Sequence, residues 1–255
     1  KGVIGAAGEL MTQSGLDEDG MAREHIGYLS DGTSEDPVVT AGTSDDFRMS
    51  ADGRYLVVET FVTLDETAIF RVDLESGGQL QLAGDGMVSE ATWSPNNNWI
   101  YYLRDGESGK RIVRRRSDGS GAEESILADR AGSELWSFSV APDGVTLALT
   151  RNQDGAMQLF EYDLETGDER FLATDAGTSR PVYSPDGRYL AFGSWVPGAE
   201  KIFVMEFGGS GRIQVADGSS PRWSPDGAFL YYLNIGGGGR LFRRPVTTEP
   251  VFDVL

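Results

Sequence analysis

The sequence predicts an all-β chain: a six-bladed β-propeller of four-stranded antiparallel blades, its N-terminal blade incomplete. Three observations carry this. A turn-bearing segment recurs five times, at intervals of 44, 47, 43 and 40 residues. The residues after each turn alternate with a period of two and are rich in aromatic and branched types, which fits strands and not helices. The same strand order then follows each copy, with no helical stretch between copies, the pattern of propeller blades.

The copies are "RMSADGRYLVV" from Arg48, "TWSPNNNWIYY" from Thr92, "SVAPDGVTLAL" from Ser139, "VYSPDGRYLAF" from Val182 and "RWSPDGAFLYY" from Arg222. Aligned on the third turn residue, they register at Asp52, Asn96, Asp143, Asp186 and Asp226. Proline at the second turn position supplies the φ that a type I turn wants, and glycine suits the fourth. Past the turn, Tyr55 and Val57 alternate with Leu56 and Val58, as Phe229 and Tyr231 do with Leu230 and Tyr232. A polar loop leads to a further strand, "AIFRVDLESG" at 68–77 and its counterparts at 111–121, 158–167 and 201–211. A Gly-bearing turn closes that hairpin onto a short last strand at 79–83, 124–128, 169–173 and 212–216. Ahead of the first copy, "HIGYLSDGTSEDPVVTAG" at 25–42 matches a third strand, turn and fourth strand, and 2–13 a second strand. A turn-bearing first strand is missing there. The expected organisation is one domain, with a partial blade over 1–44 and blades over 45–86, 87–130, 131–175, 176–217 and 218–255.

Composition narrows the function. The 255 residues hold 22 basic and 40 acidic side chains, a formal charge of −18. Such a surface repels nucleic acid and anionic lipid, so neither is an expected partner. The one basic run, Arg114–Arg116, alternates faces on a strand and reads as a solvated outer strand. Cysteine is absent, which removes disulfides, thiolate catalysis and cysteine-ligated metal. Apolar runs fall far short of the ~20 residues that cross a bilayer, so this domain does not itself insert. A signal or membrane tether, if one exists, is expected outside these residues.

The Trp-Ser-Pro-Asp-Gly first strand, followed by "IFVMEFGG"-like strands, resembles the repeat of TolB-type propellers from about His25 to Phe252. The C-terminal half, "KIFVMEFGGSGRIQVADGSSPRWSPDGAFLYYLNIGGGGRLFRRPVTTEP", is similar to extracytoplasmic propellers of bacterial receptor-type Ser/Thr kinases. That resemblance implies a sensor or interaction domain of a larger bacterial envelope protein, periplasmic or at the cell surface. Prolyl-oligopeptidase enzymes carry similar repeats as gates over a separate hydrolase domain, which is one alternative. A propeller enzyme of the lactonase or lyase kind, with Ca²⁺ in its channel, is another.

Motifs for chemistry are sparse. No Gly-x-Ser-x-Gly elbow occurs, and "GGSGR" at 208–212 has the wrong spacing and reads as a turn. His25 is the single histidine, which excludes a multi-histidine metal site. "GESGK" at 106–110 departs from the phosphate-loop pattern, with Arg111 where Ser or Thr should follow Lys110. "LDEDG" at 16–20 and "TSDDF" at 43–47 could hold Ca²⁺ through oxygens, but neither has the spacing of an EF-hand loop. No catalytic residue and no cofactor are therefore expected.

A protein, a peptide or a small ligand is expected to bind where the first strands begin, at the mouth of the channel. Six residues before each anchor stand Asp46, Glu90, Ser137, Arg180 and Ser220, all polar. Asp46 and Glu90 would attract a cation or basic segment, and Arg180 would fix an anionic group. Loops opening on the same mouth carry Phe61, Lys110, Trp195 and the stretch 234–240, with Trp195 expected as an exposed contact residue. Trp93, Tyr183 and Trp223 share one blade position and are expected to pack between blades.

Overall fold

The computed structural model describes the backbone over 2–5, 8–16, 22–29, 47–174, 179–196, 199–208, 211–234 and 240–246. Side chains are described within these ranges over 47–174, 181–194, 201–208, 211–233 and 241–246. The chain divides into two compact units, Lys1–Asp129 and Arg130–Leu255. Both are built from the antiparallel blades of an all-β propeller.

The first unit opens with a three-stranded sheet, β1 (Gly2–Gly5), β2 (Gly8–Leu16) and β3 (Ala22–Leu29). Two four-stranded blades follow. One is β4 (Phe47–Met49), β5 (Tyr55–Thr63), β6 (Glu66–Asp73) and β7 (Gln79–Ala83). The next is β8 (Val88–Trp93), β9 (Trp99–Arg104), β10 (Arg111–Arg116) and β11 (Glu124–Ala128). The second unit holds β12 (Ser133–Val140), β13 (Thr146–Gln153), β14 (Ala156–Asp163) and β15 (Glu169–Thr174) as its first blade. Then come β16 (Ser179–Tyr183), β17 (Tyr189–Val196), β18 (Ala199–Glu206) and β19 (Arg212–Asp217). The last sheet has β20 (Ser219–Trp223), β21 (Phe229–Asn234) and β22 (Arg240–Pro245).

These are five blades, and the expected six are corrected accordingly. Among the described residues the strands before Phe47 pair in the order β1-β2-β3 and with no other strand, and no Ser-Pro-Asp-Gly turn leads them. Their expected last strand, in 36–42, lies outside the described residues.

The repeated turn is a hydrogen-bonded box. Ser50 Oγ donates to Asp52 Oδ1 at 2.6 Å, Arg54 N donates to the same oxygen at 3.1 Å, and Tyr55 N donates to Ser50 Oγ at 2.9 Å. Ser184–Asp186 and Ser224–Asp226 repeat it, and Ser94 with Asn96 builds it from an amide. The fourth turn residue is left-handed throughout, with φ of 73° at Gly53 and 59° at Asn97, which tolerates it as asparagine does.

Blades are joined by apolar packing and by indole stitches. Val57, Ile69, Leu82, Ile100 and Tyr102 share one buried cluster in the first unit. Leu159, Leu190, Phe192 and Met205 do so in the second. Trp93 Nε1 donates to the carbonyl of Arg48 at 3.0 Å, and Trp223 Nε1 to that of Val182 at 3.0 Å. The expected role of these tryptophans between blades is thus met by a hydrogen bond as well as by packing. Tyr183 sits at the same blade position, but its hydroxyl is buried without a hydrogen-bond partner among the described residues.

Candidate functional site

In the second unit the first strands of successive blades lie side by side, β12 beside β16 and β16 beside β20. Each is paired within its blade on one edge only, so the other edge faces away from its own sheet. Near its beginning each carries a bulge. Ser219 pairs with Leu233 and Arg222 with Tyr231, which leaves Ser220 and Pro221 together opposite Tyr232. Ser179 pairs with Gly193 and Val182 with Ala191, leaving Arg180 and Pro181 opposite Phe192. Proline fits there because its missing N–H is not needed in the ladder. In the first unit Glu90 and Ala91 are likewise doubled, between Ser89–Leu103 and Thr92–Tyr101. Glu90 and Ser220 are left-handed, with φ of 61° and 54°. Ala91 N leaves the ladder and donates to Glu59 Oε1 of the preceding blade at 2.5 Å.

Three of the expected positions are therefore bulge residues. Glu90 is half-buried and Ser220 exposed, and Arg180 is placed by its backbone. Asp46 lies outside the described residues. Ser137 differs: in β12 the extra residue is Trp136, inserted between Leu135–Arg151 and Ser137–Thr150. Ser137 consequently stays in the ladder, 2% exposed, its hydroxyl 2.9 Å from Thr150 Oγ1. Trp136 is 50% exposed. A one-residue shift of the bulge moves a side chain to the other face. Trp195, expected in a loop, belongs to β17, opposite Glu200. Phe61 is exposed near the end of β5, with Val62 and the nearly fully exposed Leu64 beyond it.

Charges around these strands are largely held by partners. Arg151, at 1% exposure, donates from Nε to Glu169 Oε1 at 3.0 Å, and Arg130 reaches the other Glu169 oxygen at 2.5 Å. In the first unit Glu123 accepts from Arg104 Nε at 2.9 Å and from the Tyr102 hydroxyl at 2.5 Å. Burial first, then the Glu123 carboxylate, push the Tyr102 phenol up to about 12. The basic run is not merely solvated: Arg115 donates to the carbonyl of Leu82 in the neighbouring blade at 2.6 Å, while Arg114 and Arg116 lie over the Trp99 ring. Among the described residues no three His, Asp or Glu side chains are placed to hold a metal ion. Most of "LDEDG" and "TSDDF" lies outside them. Among the described residues no helix is long and apolar enough to cross a membrane.

In the second unit, exposed side chains at the beginnings of first strands include Trp136 and Ser220. Trp136 was missed by counting back from the turn. Its signal was an indole in a first strand, "ELWSF", away from the position where Trp93 and Trp223 pack.

The family model for the lipoprotein LpqB β-propeller domain matches residues 31–160. The Tol-Pal system protein TolB of Anaeromyxobacter dehalogenans (strain 2CP-1) is 29% identical over 174 residues, covering 60% of this chain and 39% of the relative. The crystal structure of TolB from Acinetobacter baumannii superposes with a TM-score of 0.72 at 18% identity, covering 88% of this chain and 57% of that one. An oligogalacturonate lyase in complex with manganese superposes with a TM-score of 0.67 at 14% identity, covering 92% and 76%. The chain spans less than half the length of the curated relatives it matches.

Proposed function

The chain belongs to the family of the lipoprotein LpqB β-propeller domain and is a TolB-type β-propeller, and from that premise we propose that it is a non-catalytic binding domain of a bacterial envelope protein. It works outside the cytoplasm and takes a protein or peptide partner where its first strands begin. The observation that carries this reading is Trp136, whose indole is half exposed because a bulge turns it out of the blade. A large rigid aromatic held in that way gives contact area at little conformational cost, as interface hot spots do. The relatives' part in a Tol-Pal system supports a protein as the partner. A sensor role, as in the kinase-type propellers, is the finer version of the same reading.

A photo-crosslinking residue in place of Trp136, in cells that make the protein, should trap one envelope protein. Trp136→Ala should then weaken that pair by roughly tenfold or more. An unchanged affinity would sink the assignment of this surface. The likeness to oligogalacturonate lyase supports an enzymatic second reading only through the shared fold. Metal-dependent turnover of oligogalacturonate by the purified protein would favour it.

A further inference from the structure

The two units treat the space between adjacent Ser-Pro-Asp-Gly turns differently. In the first, Asn97 Oδ1 accepts the backbone N–H of Ala51, a turn residue of the preceding blade, at 3.0 Å. In the second, the corresponding residues are Gly227, with no side chain, and Pro185, with no N–H. A Cβ added at Gly227 would meet Pro185 Cδ in ordinary contact at 3.6 Å, and among the described residues no hydrogen bond joins the two turns. A groove of about 500 Å³ opens instead, walled by Pro185, Tyr189 and Val246 and edged by Asp186 and Asp226.

Both carboxylates are fixed in place. Asp186 Oδ1 accepts from Ser184 Oγ at 2.6 Å and Arg188 N at 3.0 Å; Asp226 Oδ1 accepts from Ser224 Oγ at 2.5 Å and Ala228 N at 3.0 Å. The serine hydroxyls, first among the causes, hold both below the usual carboxylate range. These bonds use one oxygen of each, and the other makes none to a described residue. Arg188 lies over the Tyr189 ring, 5.5 Å from its centre, and its charge acts on Asp186, while no cation is among the groups that lower the pKa of Asp226. The ring is backed by Trp223, 6.3 Å away.

We propose that this groove takes the cationic side chain of a lysine or arginine from an extended segment of a partner protein, its stem along Pro185 and Val246 and its charge toward Asp186 and Asp226. Long basic side chains suit such a place because an apolar stem and a charged head are recognised together. The groove lies at the turn ends of β16 and β20, away from their beginnings, so it does not depend on the surface at Trp136.

The probe is fluorescein-labelled hexalysine, followed by anisotropy. Asp186→Asn with Asp226→Asn removes both charges while keeping the turns, since Asn96 accepts from Ser94 Oγ at 2.8 Å and Asn98 N at 3.1 Å in the same box. Gly227→Asn fills the groove without changing charge, using the residue that already occupies this left-handed position at Asn97. Each should weaken binding roughly tenfold. Asp118→Asn with Asp163→Asn removes the same charge from exposed turns and should leave affinity within about twofold. An equal loss with that control pair would mean diffuse attraction to an acidic surface and overturn the proposal. So would undiminished binding to a Gly227→Asn protein that melts like the parent.

Discussion

Removing the Tyr183 hydroxyl should stabilise this protein. At the same blade position Trp93 and Trp223 donate to carbonyls of the preceding blade at 3.0 Å. The Tyr183 oxygen instead lies buried with no hydrogen-bond partner among the described residues. Burial first, and then the Glu161 carboxylate, drive its phenol far above the ordinary value. Desolvating a hydroxyl without a new bond costs about 1–3 kcal/mol. Phenylalanine would keep the edge contact with Phe207, at 6.0 Å, and the packing on Leu190, Phe192 and Met205. Tyr183→Phe should therefore gain about 1 kcal/mol, raising the melting midpoint by about 2–4 °C in a chain of this size. Calorimetry at neutral pH reads this directly. The gap should widen in alkali. A phenol whose folded pKa is raised contributes fully below its unfolded value, about 10, and that contribution is lost as pH rises above it. The parent loses it and the variant has none to lose. A variant that melts lower would refute the reasoning by showing that the hydroxyl is satisfied in the folded state, and a gap that stays flat from pH ~9 to ~11 would refute it by showing that the phenol is solvated there.

Glu169→Gln should be among the costliest single changes, losing about 3 kcal/mol or more in urea unfolding, because it removes the negative charge that faces the buried Arg151 guanidinium. Arg130→Ala, at the exposed side of the same carboxylate, should cost less than about 1 kcal/mol. In acid, the folded-state pKa values of Asp52, Asp186 and Asp226 are depressed, chiefly by the turn serines. Their contribution is present above the unfolded carboxylate value, about 3.9, and lost as pH falls through the lower folded values. The triple asparagine variant should accordingly lose less stability between pH ~5 and ~2 than the parent. Asn97→Val should destabilise by about 1–2 kcal/mol, since a branched side chain must adopt a φ of 59° and the bond to Ala51 is lost; thermal melts against Asn97→Gly separate the two effects.

The blades were legible because each rests on local chemistry. A Ser-Pro-Asp-Gly box closes through bonds spanning at most five residues, such as Ser50 Oγ with Asp52 and Tyr55 N. The period of two after it sorts side chains onto the two faces of a strand, and both faces are buried, as Leu56, Val57 and Val58 are. The blade count was harder, because the strands before Phe47 have strand-like composition without that box. Composition can say that a segment pairs, and it cannot say with which neighbour. Only the turn marks a blade.

The bulges at the beginnings of the first strands were half legible for a related reason. Counting six residues back from the turn assumes that every first strand has the same register. That holds for Glu90, Arg180 and Ser220, each doubled with its neighbour opposite one residue of the next strand. In β12 the bulge falls earlier, and the count arrives at Ser137, which is tied to Thr150, one residue past the exposed Trp136. A bulge is set by how two strands fit along their length, and sequence periodicity averages over it. The same fact lets the exposed side chains of a first strand vary. Moving one extra residue along a first strand exchanges a buried hydroxyl for an exposed indole without disturbing the turn or the core. A propeller can thus keep its frame and change what it touches.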